Sequence, residues 1–119
     1  MKTILTLAMI LISVLTPVVF AQVIRGDSKV GKHVYEQQCL RCHGATLDGN
    51  GPDSQDLIVH PANLRSQVTR SKTDWELLVA ISNGVLFSPM HGFREKLTDQ
   101  QMLDVLSYIR SVAPPDITS

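Results

Sequence analysis

The sequence predicts an all-α domain, three to five short helices closed around a large apolar group that the chain does not itself supply. Three observations predict it. Two segments pair a capping box with apolar residues at helical spacing, Thr73 with Glu76 and Thr98 with Gln101. No stretch alternates apolar and polar residues with period two for long enough to make a strand. Finally, the region from Gly44 to Lys72 is punctuated by Gly49, Gly51, Pro52 and Pro61 and has few large apolar residues. A loop of that length fits a compact domain only if it wraps something.

In chain order, residues 1–21 come first. Lys2 gives a positive start, Ile4 to Leu15 form an apolar run broken by Thr6 and Ser13, and Val19-Phe20-Ala21 places small residues where a signal peptidase reads. The run is shorter than the roughly 20 residues of a transmembrane helix, and no later stretch is long and apolar enough to span a bilayer. The expected organisation is a signal peptide over 1–21 and one domain over 22–119. Cleavage leaves 98 residues, of which about 38% are apolar against 44% for the whole chain. That is lean for a domain of this size, so something besides side chains must add core.

The other helices follow from local signals. Asp27 or Ser28 caps a first helix running to about Gln38, with Val30, Val34 and Tyr35 on one face and Gly31 placed for close approach of a partner backbone. A short helical turn is expected from Pro61 through Ala62, Asn63 and Leu64. The helix capped by Thr73 carries Leu77, Leu78, Ala80 and Ile81, and Gly84 stands where a left-handed cap ends it. Trp75 is expected in the core. The last helix places Met102, Val105, Leu106 and Ile109 on one stripe and stops before Pro114.

Composition excludes several functions. Eleven Lys and Arg balance eleven Asp and Glu with no basic run, so nothing offers a footprint for nucleic acid, and the chain is too apolar to be disordered. The two cysteines are too close in sequence to staple a secreted scaffold. They stand in Cys39-Leu40-Arg41-Cys42-His43, directly after the first helix. This spacing matches covalent haem attachment, in which the two thiols take the two vinyl groups of one porphyrin and the adjacent histidine becomes the proximal ligand. A thioredoxin-like CxxC requires a preceding strand, and a structural zinc site requires a second ligand pair that His33, His60 and His91 do not form. His33 and His60 read as surface residues, with a packed His33 as the alternative.

For the sixth iron ligand the chain past the leader offers two thioethers. Met102 lies on the stripe of the last helix, where core filling explains it. Met90 lies in the irregular segment Phe87-Ser88-Pro89-Met90-His91-Gly92-Phe93 and is the expected ligand, with His91 as the alternative.

With these residues in hand, the region from about Ser28 to Val112 resembles a class I cytochrome c of the small bacterial periplasmic kind. Beyond the CxxCH string, the resemblance rests on Gly31 and Tyr35 in the first helix, Val105 and Tyr108 in the last, and Gly51-Pro52 after the axial histidine. It implies the cytochrome c fold, one covalent haem c, and iron held by His43 and Met90. It also implies that the Pro52 carbonyl accepts a hydrogen bond from the other ring nitrogen of His43, with Pro61 as the lesser candidate. Trp75, Asn63 and Arg65 are candidates for the haem propionates by the same resemblance. The sequence departs from the family where Pro89 precedes Met90 and His91 follows it.

Iron held on both faces leaves no open position for a substrate, so the expectation is an electron carrier rather than an enzyme. Its implied place is the periplasm, between a donor and an acceptor redox protein such as a periplasmic dehydrogenase or terminal oxidase. The alternatives are a dedicated haem subunit of such a complex and, with a weak sixth ligand, a haem sensor.

Overall fold

The computed structural model describes residues 25–116, so the expected leader at 1–21 lies outside the described residues. Five helices follow in order: α1 Ser28–Gln38, α2 Leu40–His43, α3 Gln67–Arg70, α4 Asp74–Asn83 and α5 Asp99–Val112, with a 3-10 turn at Ser54–Asp56. No strand occurs among the described residues, where the only β pairing is an antiparallel bridge between Gly84 and His91. No helix among them is long and apolar enough to cross a membrane.

The N-caps at Asp27, Thr73 and Thr98 are those the sequence predicts. The Asp27 carboxylate accepts from the amides of Lys29 and Val30 at the start of α1. Both capping boxes close, Thr73 with Glu76 on α4 and Thr98 with Gln101 on α5. Each box satisfies backbone donors that a helix start otherwise leaves open. Bonds from the Thr73 amide and hydroxyl hold the Glu76 carboxyl below its ordinary range. A carboxyl depressed by folding contributes stability above its unfolded value, and that contribution is lost as the pH falls through the folded value. Glu76→Gln is therefore expected to lower thermal stability near neutral pH and to lose that effect once the carboxyl is protonated, which melting curves across an acid series measure.

Packing centres on the crossing of α1 and α5. Gly31 sits directly on the backbone of Asp104 and Val105, and the Tyr35 and Tyr108 rings meet with centroids 5.3 Å apart. Val34, Tyr35, Val105 and Ile109 are buried there. The buried Asp104 carboxylate locks the crossing from the other side, accepting from the Asp27 amide at 2.7 Å and from Gln100 Nε2 at 2.9 Å. Arg110 then ties the turn between α3 and α4 to α5, pairing its Nε with Asp74 at 2.8 Å and donating to the carbonyls of Lys72 and Arg70.

Four local expectations change. Val30 is 47% exposed, because the contact point of α1 is Gly31 and the residues above it are Val34 and Tyr35, three and four positions on. Trp75 is 74% exposed, because the buried face of α4 is Leu77 and Ile81 and Trp75 falls two residues off it. The helical turn expected at Pro61 forms later, at Gln67, where the Ser66 hydroxyl accepts from the Thr69 amide. Gly84 does take a positive φ of 80°, but its ψ of −176° leads into the bridge with His91 rather than into a left-handed helix cap. His33 lies on the surface, bonded to Gln37 at 3.0 Å.

Candidate cofactor site

The residues singled out by spacing converge on one cleft of about 340 Å³. Cys39, Cys42 and His43 form one wall, Leu77 and Ile81 of α4 and Val105 and Ile109 of α5 form the floor, and Met90 comes from the loop between α4 and α5. The volume lies within the range of cofactor pockets.

The motif is held from behind. Cys39 ends α1 with its amide on the Tyr35 carbonyl, and the short α2 carries Cys42 and His43. The Gly51 amide donates to the Cys42 carbonyl at 3.0 Å and the Asp53 amide to the Arg41 carbonyl at 2.9 Å. Arg41 returns a bidentate pair to the Asp53 carboxylate, at 2.7 Å from Nε and 2.6 Å from Nη2. The buried Tyr35 hydroxyl fixes the exit from the motif by donating to the Gly44 carbonyl at 2.7 Å.

This clamp corrects the expected role of Pro52. The Gly51 and Asp53 amides hold that segment on the backbone carbonyls of the motif. The chain reaches the ring farther on, where the Leu64 amide donates to the Leu47 carbonyl and brings 61–64 alongside. His43 Nδ1 lies 3.0 Å from the Ala62 carbonyl, so the partner expected at Pro52, or at Pro61, is Ala62. A carbonyl only accepts, so Nδ1 carries the proton and Nε2 keeps its lone pair for a metal. Burial pushes the His43 imidazole down, toward the neutral form a metal requires, with the Ala62 bond opposing.

The Cys39 environment is unlike that of a redox nucleophile. Burial, reinforced by Cys42, pushes the Cys39 thiol up to about 12. A disulfide oxidoreductase needs a thiol whose ionisation is made easier, not harder. Both cysteines are free and partly buried on the wall of the cleft, as two thiols that receive a porphyrin edge would be.

Met90 and His91 both line the cleft, but in different ways. Met90 is partly buried and packs on the hydrophobic core, its amide on the Ser88 hydroxyl at 3.2 Å and its carbonyl accepting from the Val85 amide at 2.9 Å. His91 is exposed, stacks on Phe93 at 4.6 Å, and has Nε2 at 3.5 Å from the Lys96 ammonium. Met102, the other thioether, is buried on the α5 stripe and borders a separate groove with Trp75. Of the expected propionate contacts, Trp75, Asn63 and Arg65, none lines the cleft. Lys72 does, and no sequence signal singled it out.

No curated protein matches the chain. Among solved structures, a chain of the reducing HAO-like protein complex Kustc0457/Kustc0458 of Kuenenia stuttgartiensis is similar, with a TM-score of 0.64 and 28% identity. The match covers 72% of the present chain, which spans only 42% of that one. The family model described as Cytochrome c matches residues 28–113, taking in the CxxCH motif, the wrapping loop and the closing helix. An all-α fold closed over a cleft with two free thiols and a histidine on its wall agrees with that match, and the chain belongs to the cytochrome c family, with covalently bound haem c as its cofactor.

Proposed function

We propose that the protein carries single electrons between redox partners, with His43 and Met90 as the axial ligands of its haem. The observation that carries this reading is that His43 and Met90, 47 residues apart, line one apolar cleft whose wall holds Cys39 and Cys42. Haem iron ligated on both faces supplies one-electron exchange and no substrate position. The chain's residues tune that exchange. Met90 offers a thioether, which favours ferrous iron and raises the potential, and the apolar floor acts in the same direction. The Ala62 carbonyl orients His43 and increases its basicity.

Partner contact falls to the rim. Leu57 and Val59 line the cleft while Ile58 points out fully exposed, and Val85 and Ser88 line it while Leu86 and Phe87 are 86% and 98% exposed. Phe87 sits at φ 59°, braced by the Val85 amide on the Met90 carbonyl. Neither 57–62 nor 84–92 contains Asp, Glu, Lys or Arg. A rim of this kind suits apolar docking that owes little to charge steering. With the export reading of 1–21, the partners are periplasmic redox proteins, a dehydrogenase or a terminal oxidase by chemistry. A second reading, a dedicated haem subunit, is favoured by the likeness to a chain of the HAO-like complex and by this uncharged rim.

The test is the optical spectrum of the matured holoprotein beside Met90→Ala. The expected result is a c-type spectrum whose ferric sulfur-to-iron band disappears in the variant, with a lower midpoint potential. A band-free wild type, with a spectrum unchanged in the variant, would move the sixth ligand to His91 or water and bring the haem-sensor reading forward.

A further inference from the structure

The cleft has to accept a ring that bears two carboxylates on the edge away from its vinyl groups, yet its lining is almost wholly apolar. Among the described residues no Asp or Glu lines it, and Lys72 is the one Lys or Arg that does. We propose that Lys72 is the counter-ion of a haem propionate, an inference that rests on the haem occupying this cleft with its vinyl edge at Cys39 and Cys42.

Three further observations support it. First, among the described residues the Lys72 ammonium makes no hydrogen bond or ion pair, whereas the neighbouring cations are committed: Arg70 Nε donates to the Pro114 carbonyl at 2.8 Å and Arg110 pairs with Asp74. Second, the Lys72 backbone is fixed independently of its side chain, its amide on the Thr69 carbonyl at 3.2 Å and its carbonyl accepting from Arg110 Nη2. The side chain therefore starts from a fixed point on the lining, which lowers the cost of ordering it on a carboxylate. Third, the other polar groups nearby are spent. The Thr69 hydroxyl is shared between the Asn63 carbonyl at 3.0 Å and the Ser66 hydroxyl at 3.2 Å, and the Asn63 side chain accepts from the Arg65 amide at 2.9 Å.

The charged and titratable groups around Lys72 leave this role open. Glu76 feels the Lys72 charge, but its carboxylate is engaged by the Thr73 amide and hydroxyl. His60 and His91 line the cleft beside Lys72, and the Arg110 guanidinium faces the Lys72 carbonyl rather than the cleft. A carboxylate placed in so apolar a lining without a cation would face a large desolvation penalty, and a charge-assisted bond to an ammonium offsets it.

The experiment uses the matured, reduced holoprotein. Proton NMR is expected to show nuclear Overhauser contacts between the Lys72 side-chain methylenes and one propionate's methylenes. Potentiometry is expected to give Lys72→Gln a midpoint potential below wild type, because removing a positive charge near the iron favours the ferric state. Lys72→Arg is expected to restore the wild-type value, and Arg65→Gln, on the surface outside the cleft, to leave it unchanged. A purely structural Lys72 would not produce this charge-dependent pattern. Absence of the Overhauser contact, or a Lys72→Gln potential no lower than that of Arg65→Gln, overturns the proposal. Should Lys72→Gln fail to take up haem, the wild-type contact alone decides. A wild type without the sulfur-to-iron band would defeat Met90 as ligand and leave this contact equally readable.

Discussion

Protein made without haem attachment, whether by omitting the maturation factors or as the Cys39→Ala, Cys42→Ala double variant freed of haem, is expected to lose its cooperative thermal transition. The cleft of about 340 Å³ is bounded by the same residues that form the core, Tyr35, Ile81, Phe93, Val105 and Ile109 among them. Without haem those apolar side chains face water across the cleft instead of packing on a porphyrin, and the burial they lose is a large share of a small, lean core. A domain of this length has only about 5–15 kcal/mol of net stability, so the haem-free chain is expected to lose the arrangement. Local structure should persist where it is locally encoded, so circular dichroism is expected to show residual helix without a sharp melt, and proteolysis to cut within 44–72. A haem-free product with native helicity and a cooperative transition would show that the side chains alone suffice.

That division between local and cofactor-dependent structure also explains what the sequence disclosed. Asp27, Thr73 and Thr98 declared their helices because a cap is settled within three or four residues, and each does cap in the structure. The CxxCH string declared its cofactor because both thiols and the imidazole must sit within five residues. The carbonyl that meets His43 was not legible in the same way. It depends on the path of a long loop, set by contacts such as the Leu64 amide on the Leu47 carbonyl and the Gly51 amide on the Cys42 carbonyl, and no local spacing records them. A glycine-proline pair near the motif pointed to Pro52, and the loop delivers Ala62 instead. Trp75 misled for a related reason, since its size suggests burial while its place on α4 is set by Leu77 and Ile81. Lys72 gave no signal at all, because a surface lysine and a lysine at the edge of a cofactor cleft look alike until the turn between α3 and α4 is placed.

Gly31→Ala is the second substitution with a large expected effect, and its sign is the informative part. At an exposed helical position this change is stabilising by up to ~1 kcal/mol, because alanine is the better helix former. Gly31 is interior to α1 and buried, and a Cβ added there falls on the carbonyl of Asp104 and within 2.9 Å of the Val105 amide nitrogen. These are backbone atoms of α5, so no side chain can swing aside, and the helices must separate. Separation would loosen the contact of Tyr35 with Tyr108 and the packing around Val105, which is 0% exposed. It would also stretch the bond from the Asp27 amide to the buried Asp104 carboxylate. Overpacking of this kind costs about 1–3 kcal/mol, and the upper end applies where backbone meets backbone. For a domain of this size that is a fall of roughly 10–20 °C in Tm, whereas Lys32→Ala on the exposed face of the same helix should change it by little. Thermal melts of the two matured variants, followed at the haem absorption, make the comparison. A Gly31→Ala variant that melts at or above the wild-type temperature would mean that α1 and α5 do not rely on their close approach at Gly31, and that the crossing is held by its rings and its buried carboxylate instead.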